Sequence, residues 1–523
     1  MAFFVSMKKD MGGLRGIRWR NQMHQPFLRF QQVTFGYDTA IEPLFQDISL
    51  HMSTGWTGIV GANGTGKTTF LKLSTGFLSP DTGVVIGPER TVYCSQRTDN
   101  PPERFAELLQ ASSREASLIK EQFGIKGNWF DRWSTLSHGE RKRVQIAAAF
   151  WLEPDVLAID EPTNHVDAEA RDMLIQTLRT YKGVGLLVSH DRELLDSLCM
   201  QCVFIQPPGV IVRPGGYSKG ADVASEEDLA LRKKYEIKNK EFKRLRRDAG
   251  RRRHLANRGT LSKRGIAKHD HDAKSKIDGA RVSGKDAVGG KLLRQLNGRM
   301  AHLQDELENI RVTKQGTLGI WLPGSVSRRD ILLDMPPHII QLGEHKKLTC
   351  PHLVLHSTDR LALTGPNGGG KSTLLRQLLP QLNAPPDRIT YVPQEINGQQ
   401  CRDILKQAQD LPDDHLGHLM TIVSRLGSYP HRLLESVEPS PGETRKLLLA
   451  LGMIYEPHII IMDEPTNHMD LPSIECIEAA LADCPCCLLL VSHDRRFLKK
   501  LIQTEWRISR KTGSDDFFHL QIL

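Results

Sequence analysis

Apolar and polar positions follow two rhythms along this chain. Short unbroken apolar runs, among them Gly58-Ile59-Val60, Val156-Leu157-Ala158-Ile159, Leu361-Ala362-Leu363 and Ile459-Ile460-Ile461-Met462, have the length and composition of strands buried on both faces of a parallel sheet. Stretches of helical periodicity separate them, so the pattern predicts an α/β fold with mainly parallel central sheets. A second rhythm occupies about 225 to 320. There Leu231, Tyr235, Phe242 and Leu245, and then Leu293, Leu296, Met300, Leu303, Leu307 and Ile310, recur at three- and four-residue steps. Two such stripes predict an antiparallel helical hairpin, with Ser225 and Asp228 as the capping pair of its first helix.

The sequence repeats itself around these strands. The run Gly61-Ala62-Asn63-Gly64-Thr65-Gly66-Lys67-Thr68-Thr69 returns as Gly365-Pro366-Asn367-Gly368-Gly369-Gly370-Lys371-Ser372-Thr373, a displacement of 304 residues. Both copies have the spacing of a phosphate loop, in which glycines let backbone N–H groups wrap phosphates and the lysine adds a point charge. Each lies between an apolar strand and a helical stretch, as that loop requires. Further along, Asp160-Glu161 and Asp463-Glu464 each end an apolar run, and the displacement is 303 residues for these, for Ser137 to Ser440 and for His190 to His493. Thr68, Asp160, Ser372 and Asp463 suit Mg²⁺. The next residues, Glu161 and Glu464, are left to orient or deprotonate an attacking water as catalytic bases.

Between the landmarks stand Leu136-Ser137-His138-Gly139-Glu140 and Pro439-Ser440-Pro441-Gly442-Glu443, and beyond them Ser189-His190-Asp191 and Ser492-His493-Asp494. These resemble the signature and switch-histidine motifs of ATP-binding-cassette proteins, whose motif order is reproduced twice across most of the chain. The resemblance implies ATP held between one cassette's phosphate loop and the other's signature. One site would use Lys67, Gln96, Glu161 and His190 against Ser440 and Gly442; the other would use Lys371, Gln394, Glu464 and His493 against Ser137 and Gly139. Gln96 and Gln394, at strand ends, would reach Mg²⁺ and water, and Tyr37 would stack on adenine, with no equivalent in the second copy. His138 and Pro441 stand where the family usually has glycine. Because proline has no N–H to offer a phosphate oxygen, two hydrolysis-competent sites of unequal rate are expected.

Charge changes the picture at the connector. From Leu231 to Met300 there are 23 Lys and Arg against 7 Asp and Glu, so this stretch carries an excess of 16 while the whole chain carries +9. Arg246, Arg247, Arg251, Arg252, Arg253, Arg258, Lys263, Arg264 and Lys268 form a cationic tip whose phosphate contacts would dominate nucleic-acid affinity through counterion release. The tip is poor in aromatics, which favours backbone and shape recognition of folded RNA over base stacking. No apolar stretch approaches the roughly 18 to 20 residues of a membrane helix, and no secretory leader is legible at the amino end. The scattered cysteines read as small buried hydrophobes in a reducing, cytoplasmic setting.

Two cassettes, no membrane segment and a basic helical connector together resemble the ABC-F family. That likeness implies a cytoplasmic ATPase with ATP and Mg²⁺ as cofactors, binding the ribosome through rRNA and tRNA near the peptidyl-transferase region, in translation or in antibiotic protection. Its cassettes would pair within one chain, so a monomer would suffice. The expected architecture is two ATP-binding-cassette (P-loop NTPase) domains joined by a helical-hairpin linker. It comprises a basic extension over 1–26, a first cassette over 27–220, the linker over 221–320 and a second cassette over 321–523. The rivals are an ATPase subunit serving separate membrane subunits and a DNA-binding repair ATPase.

Overall fold

A computed structural model describes residues 25–38, 40–163, 166, 168–261, 285–309, 323–343, 346–428, 430–436, 439–467, 469–510 and 517–523. Most of the 1–26 extension lies outside these residues, as do Lys263, Arg264 and Lys268 at the connector tip.

The central sheet of the first half runs, in spatial order, Thr91–Cys94, Val156–Asp160, Val184–Val188, Gly55–Val60, Cys199–Gln206 and Gly209–Pro214. Its first five strands are parallel and the last pair is antiparallel. Every residue of Val156–Asp160 and of Val184–Val188 is buried, which is why those strands read as unbroken apolar runs rather than as alternation. A three-stranded antiparallel sheet of Phe45–Met52, Leu28–Phe35 and Thr82–Ile86 packs nearby, and Phe30 stacks on Phe70 of the phosphate-loop helix at 4.9 Å. Cys202 fits tightly beneath Gly58, where a β-carbon would meet its sulfur at 2.9 Å.

The second half repeats the plan. Ile389–Val392, Ile459–Asp463, Cys487–Val491, Arg360–Thr364 and Thr504–Arg510 form the same five-strand parallel order. Phe517–Ile522, Lys347–Cys350 and His338–Gln341 then extend the sheet. In each half the phosphate-loop strand lies two positions from the carboxylate strand, with the strand leading to the switch histidine between them. All three strands end on the same edge, and ligands of open α/β sheets bind at the carboxyl ends of the strands.

The chain divides into two compact units, Met1–Gly220 with Gly316–Leu523, and Ala221–Gln315. The second unit is built on helices Tyr217–Leu261 and Lys285–Asn309. They run antiparallel: Lys238 pairs with Glu306 at 2.7 Å and Glu241 with Arg299 at 2.9 Å. Leu245, Ala249 and Leu303 are buried along their seam. The expected cap at Ser225 is incorrect, because the helix starts at Tyr217 and Ser225 lies inside it. The actual start is set from a distance: Asp196 accepts a hydrogen bond from the Ser218 N–H at 2.8 Å, just after Gly215 adopts φ 93°, a turn that favours glycine.

The two cassettes meet through unlike contacts. On one side Arg192, 1% exposed, forms a two-pronged ion pair with Glu478, 3% exposed, and Lys500 joins the same carboxylate at 2.8 Å. At the repeat-related position Arg495 meets Asp172 at 3.0 Å, but both side chains are about half exposed. Desolvation makes the first contact matter and solvent screening makes the second weak. Replacing Arg192 by Ala leaves Glu478 buried with one cation fewer, so we expect a loss of about 3 kcal/mol, read as a lower thermal unfolding midpoint. The double change Arg192→Met with Glu478→Leu is expected to recover most of it.

Candidate functional site

Each phosphate loop turns on glycines in the left-handed region. Gly66 and Gly370, at φ 94° and 97°, are the last residues before their helices, and a β-carbon there would sit 2.7 Å from Leu44 or 2.6 Å from Leu342. Gly64 and Gly368, at φ 79° and 75°, face open space, which leaves an uncovered cradle of backbone. Lys67 folds over its loop, donating to the carbonyls of Gly61 at 2.9 Å and Ala62 at 3.1 Å and lying 3.4 Å from Asn63 Oδ1. Burial lowers its pKa, while Glu161, Asp470 and Asp160 oppose that fall. Lys371 does the same toward Gly365 and Pro366, at 2.8 and 3.3 Å. Thr69 and Thr373 follow on the first turn of each helix.

The hydroxyls and carboxylates expected to hold a metal are brought together. Thr68 donates to Asp160 at 2.7 Å and Ser372 to Asp463 at 2.8 Å, giving all-oxygen donor pairs of the kind Mg²⁺ prefers. The residues therefore fit that cation. Gln96 lies exposed one residue past the Thr91–Cys94 strand and its Ser95 neighbour, and Gln394 sits in the matching turn.

The acidic neighbours are held in a strained backbone. Glu161 and Glu464 both have φ 49°, a region that non-glycine residues rarely enter at a cost of about 1 to 3 kcal/mol. Their N–H groups donate to Val188 and Val491 on the neighbouring strand, at 2.9 and 2.8 Å. Each carboxyl then lies beside its switch histidine: Glu161 Oε1 is 3.1 Å from His190 Nε2, and Glu464 Oε1 is 3.4 Å from His493 Nε2. His493 Nε2 also approaches Lys371 Nζ at 3.2 Å and Asn367 Oδ1 at 3.3 Å. Burial, reinforced by Asp160, pushes the Glu161 carboxyl up to about 8. Burial likewise pushes Glu464 up to about 7 against the pull of Lys371.

Ser137 and Ser440 are the caps of 14-residue helices, each in a reciprocal capping box with Glu140 or Glu443. Their hydroxyls donate to those glutamates at 2.9 and 3.0 Å, so both are engaged with their own helices. Gly139 and Gly442 are buried in the first turn. Pro441 occupies the first helical position, where its fixed φ suits the helix. A direct link from the first phosphate loop to the second cassette lies outside the signature: Asn63 N–H donates to Asp470 at 2.8 Å. A small cavity of about 60 Å³ is lined from both halves, by His190 and Asp191 and by Glu464, Asn467 and His493. Tyr37, 47% exposed, hydrogen-bonds Thr69 at 2.8 Å and sets its ring edge-on to Phe35 at 5.2 Å.

Sequence reasoning missed two cations. Lys142, fully buried on the first signature helix, donates to the carbonyls of Ser95 and Asp160, each at 2.7 Å. It clamps the glutamine turn to the carboxylate strand, and burial lowers its pKa to about 8. Arg445, displaced by 303 residues, ties the glutamine turn of the second half to the loop after the carboxylate strand, donating to the carbonyls of Gln394 and Asn467. The repeat displacement was the available signal, since both copies place a cation five residues after the signature serine.

A phosphate loop, a metal-ready hydroxyl–carboxylate pair, a strained glutamate and a histidine, occurring twice, define a protein with two nucleotide-binding P-loop domains of the cassette type. The sequence pattern of the ABC transporter family matches residues 45–164 and 349–467. Ribosome protection protein VmlR of Bacillus subtilis (strain 168) is 27% identical over 492 residues, covering 90% of this chain and 85% of that protein. Tylosin resistance ATP-binding protein TlrC of Streptomyces fradiae is 28% identical over 546 residues, covering 90% and 95%. The archaeal ribosome recycling factor aABCE1, solved in complex with archaeal ribosomal stalk protein aP1, superposes with a TM-score of 0.57 at 18% identity over 94% of this chain and 89% of that one; at that identity the likeness concerns the fold. The chain belongs to the ATP-binding-cassette proteins, as a tandem member of the ABC-F type. Among the described residues no helix is long and apolar enough to cross a membrane.

The Glu161 shift carries a sign. Its carboxyl binds a proton more tightly in the fold than in the unfolded chain, so the stability it contributes is complete below about 4.5 and is lost as pH rises through about 8. In nucleotide-free, chelator-treated protein, Glu161→Gln should therefore raise the unfolding midpoint relative to the parent at pH 8 by several degrees more than at pH 5. An equal difference at both values would place the acid outside its buried environment.

Proposed function

We propose that this chain is an ATPase that closes its two cassettes on ATP and thereby sets its cationic hairpin against ribosomal and transfer RNA. The observation that carries this reading is the insertion of a helical pair, rich in Lys and Arg, between two halves that each keep a phosphate loop, an acid pair and a switch histidine. Arg246, Arg247 and Arg251 are exposed on the first helix. Arg252, Arg253 and Arg258 belong to the same helix, though their side chains lie outside the described residues. The names of VmlR, a ribosome protection protein, and TlrC, a tylosin resistance protein, support a role at the ribosome, including antibiotic protection.

In the chemistry we infer, Lys67 and Lys371 exchange their loop carbonyls for phosphate oxygens, and the N–H groups of Gly64, Gly66, Gly368 and Gly370 line the cradle. Thr68, Gln96 and Asp160, and Ser372, Gln394 and Asp463, would hold Mg²⁺, which when bound neutralises charge developing on the phosphates. Glu161 and Glu464 act as general bases on the attacking water. Their raised basicity suits proton transfer near neutral pH, and His190 and His493 keep each carboxyl aimed. Ser440 with Gly442, and Ser137 with Gly139, complete the opposite sides on closure, a population shift that requires contacts made only in the closed state.

Two measurements test this. Glu161→Gln combined with Glu464→Gln, saturated with ATP, should co-sediment with ribosomes through a sucrose cushion. Changing Arg251, Arg252 and Arg253 together to Ala should weaken that binding and lower its log-salt slope by about 2 to 3 while sparing basal ATPase. Membranes or DNA in the pellet without ribosomes would refute the reading. Separately, the single variants Glu161→Gln and Glu464→Gln should retain different turnover rates, because Pro441 removes a donor from one signature only; matching rates would dismiss that asymmetry.

A further inference from the structure

The turn between helix Leu471–Ala482 and strand Cys487–Val491 carries Cys484, Pro485 and Cys486. Cys484 and Cys486 are each 1% exposed, and their sulfurs lie 3.0 Å apart. A disulfide needs about 2.05 Å, so closing one asks for a movement of about 1 Å. The two thiols are not alike. Cys486 donates to Cys484 through its thiol and its N–H, and with the Arg360 guanidinium nearby these hold the Cys484 thiol below its usual range, while Cys486 is raised. Arg360 is fixed there by the carbonyls of Leu481 at 3.0 Å, Ala482 at 3.1 Å and Cys484. An attacking sulfur thus sits beside a protonated neighbour able to resolve it.

The pair lies beneath chain rather than beneath side chains. Gly324, half-buried, rests against it, and a β-carbon there would meet Cys484 Sγ at 2.8 Å and Cys486 Sγ at 3.4 Å. Gly324 belongs to the segment 323–327, which has neither helix nor strand and is held by Ser325, donating from its N–H to Pro457 at 3.1 Å and from its hydroxyl to Glu456 at 2.9 Å. Local opening of so lightly bonded a segment admits a small molecule at little cost. The other close pair is built differently. Cys199 and Cys202 face Gly58 inside the first central sheet, where the hydrogen bond with Cys202 and burial raise the Cys199 thiol and leave it inert.

We propose that Cys484 and Cys486 are a redox-active dithiol that hydrogen peroxide converts to a disulfide. The Cys484 thiolate attacks one peroxide oxygen and the O–O bond breaks; the sulfur becomes a sulfenic acid, and the leaving oxygen takes a proton to depart as water. Cys486 then attacks that sulfur, its thiol proton leaving with the hydroxyl as a second water. The sulfurs together lose two electrons and the peroxide gains them. A structural zinc site asks for four ligands, and among the described residues no group of three His, Cys, Asp or Glu is placed to hold a metal ion. The new bond would brace the turn between the helix that bears Glu478 and the strand that runs to His493. Neither nucleotide nor RNA enters this chemistry, so the site is independent of the ribosome reading.

The test uses the full chain, reduced, freed of thiol, kept in chelator and exposed to a small excess of hydrogen peroxide, then denatured, labelled with N-ethylmaleimide and mapped by peptide mass spectrometry. Cys484 and Cys486 should both lose their labels, and dithiothreitol should restore them. Cys484→Ser should keep the label on Cys486, Cys486→Ser should stop at a Cys484 sulfenic acid that dimedone traps, and Cys487→Ser should behave as the parent. Cys199 and Cys202 should stay labelled throughout. Full labelling of Cys484 and Cys486 after peroxide overturns the proposal, as does a bond from either to Cys487 or an equally fast loss at Cys199 and Cys202. The parent's own labels decide the point even where a serine variant does not fold.

Discussion

Burial of an acid pair at the end of a central strand is the constraint on which the rest of each cassette depends. Asp160 and Glu161 are 2% and 4% exposed, and unpaired carboxylates in such a place would be strongly destabilising. The surrounding groups answer that cost one by one. Thr68 and Tyr93 donate to Asp160, Lys142 takes its carbonyl, and His190 sits on Glu161. What remains is the desolvation that lifts Glu161 toward neutral pH. A fold that needed only stability would place leucine there. A related arrangement recurs at Asp463 and Glu464, where Ser372 donates to Asp463, His493 lies beside Glu464 and Arg445 takes the carbonyls of Gln394 and Asn467, so it belongs to the cassette plan rather than to one copy.

The two copies differ where they touch. The buried Arg192–Glu478 pair has a screened counterpart in Arg495–Asp172, and Asn63 reaches Asp470 across the halves. Separating the cassettes would therefore cost more at the buried pair than at the exposed one. Tyr217 adds to the dry side, its hydroxyl 2.9 Å from Glu475 of the second cassette.

The phosphate loops, the acid pairs and the signature serines were legible in the sequence because each is a local pattern whose spacing is dictated by chemistry. The parallel sheets were legible because strands covered on both faces leave unbroken apolar runs. The start of the long helix was not. Ser225 with Asp228 looks like a cap, yet the cap that operates is Asp196, about twenty residues upstream, and only the tertiary placement of the switch helix brings it to Ser218. Lys142 and Arg445 escaped notice because a cation on an amphipathic helix ordinarily reads as solvated surface, whereas here the chain folds two carbonyls over it. Arg192 and Glu478 escaped because their separation, 286 residues, carries no periodic or motif signal.

The connector shows the opposite balance of local and tertiary terms. Among the described residues its seam is thin: Leu245, Ala249 and Leu303 are buried, but Tyr235, Phe242, Leu296 and Met300 remain only partly covered. A pair of helices that is charged along most of its length and buries so little gains little from its own packing. Cross-strut pairs such as Lys238–Glu306 add only modestly while exposed. Arginines crowded on an exposed helix also repel one another, and that repulsion is relieved by a polyanion. The hairpin is thus a structure whose crowded positive charge a polyanion outside the chain would settle most favourably.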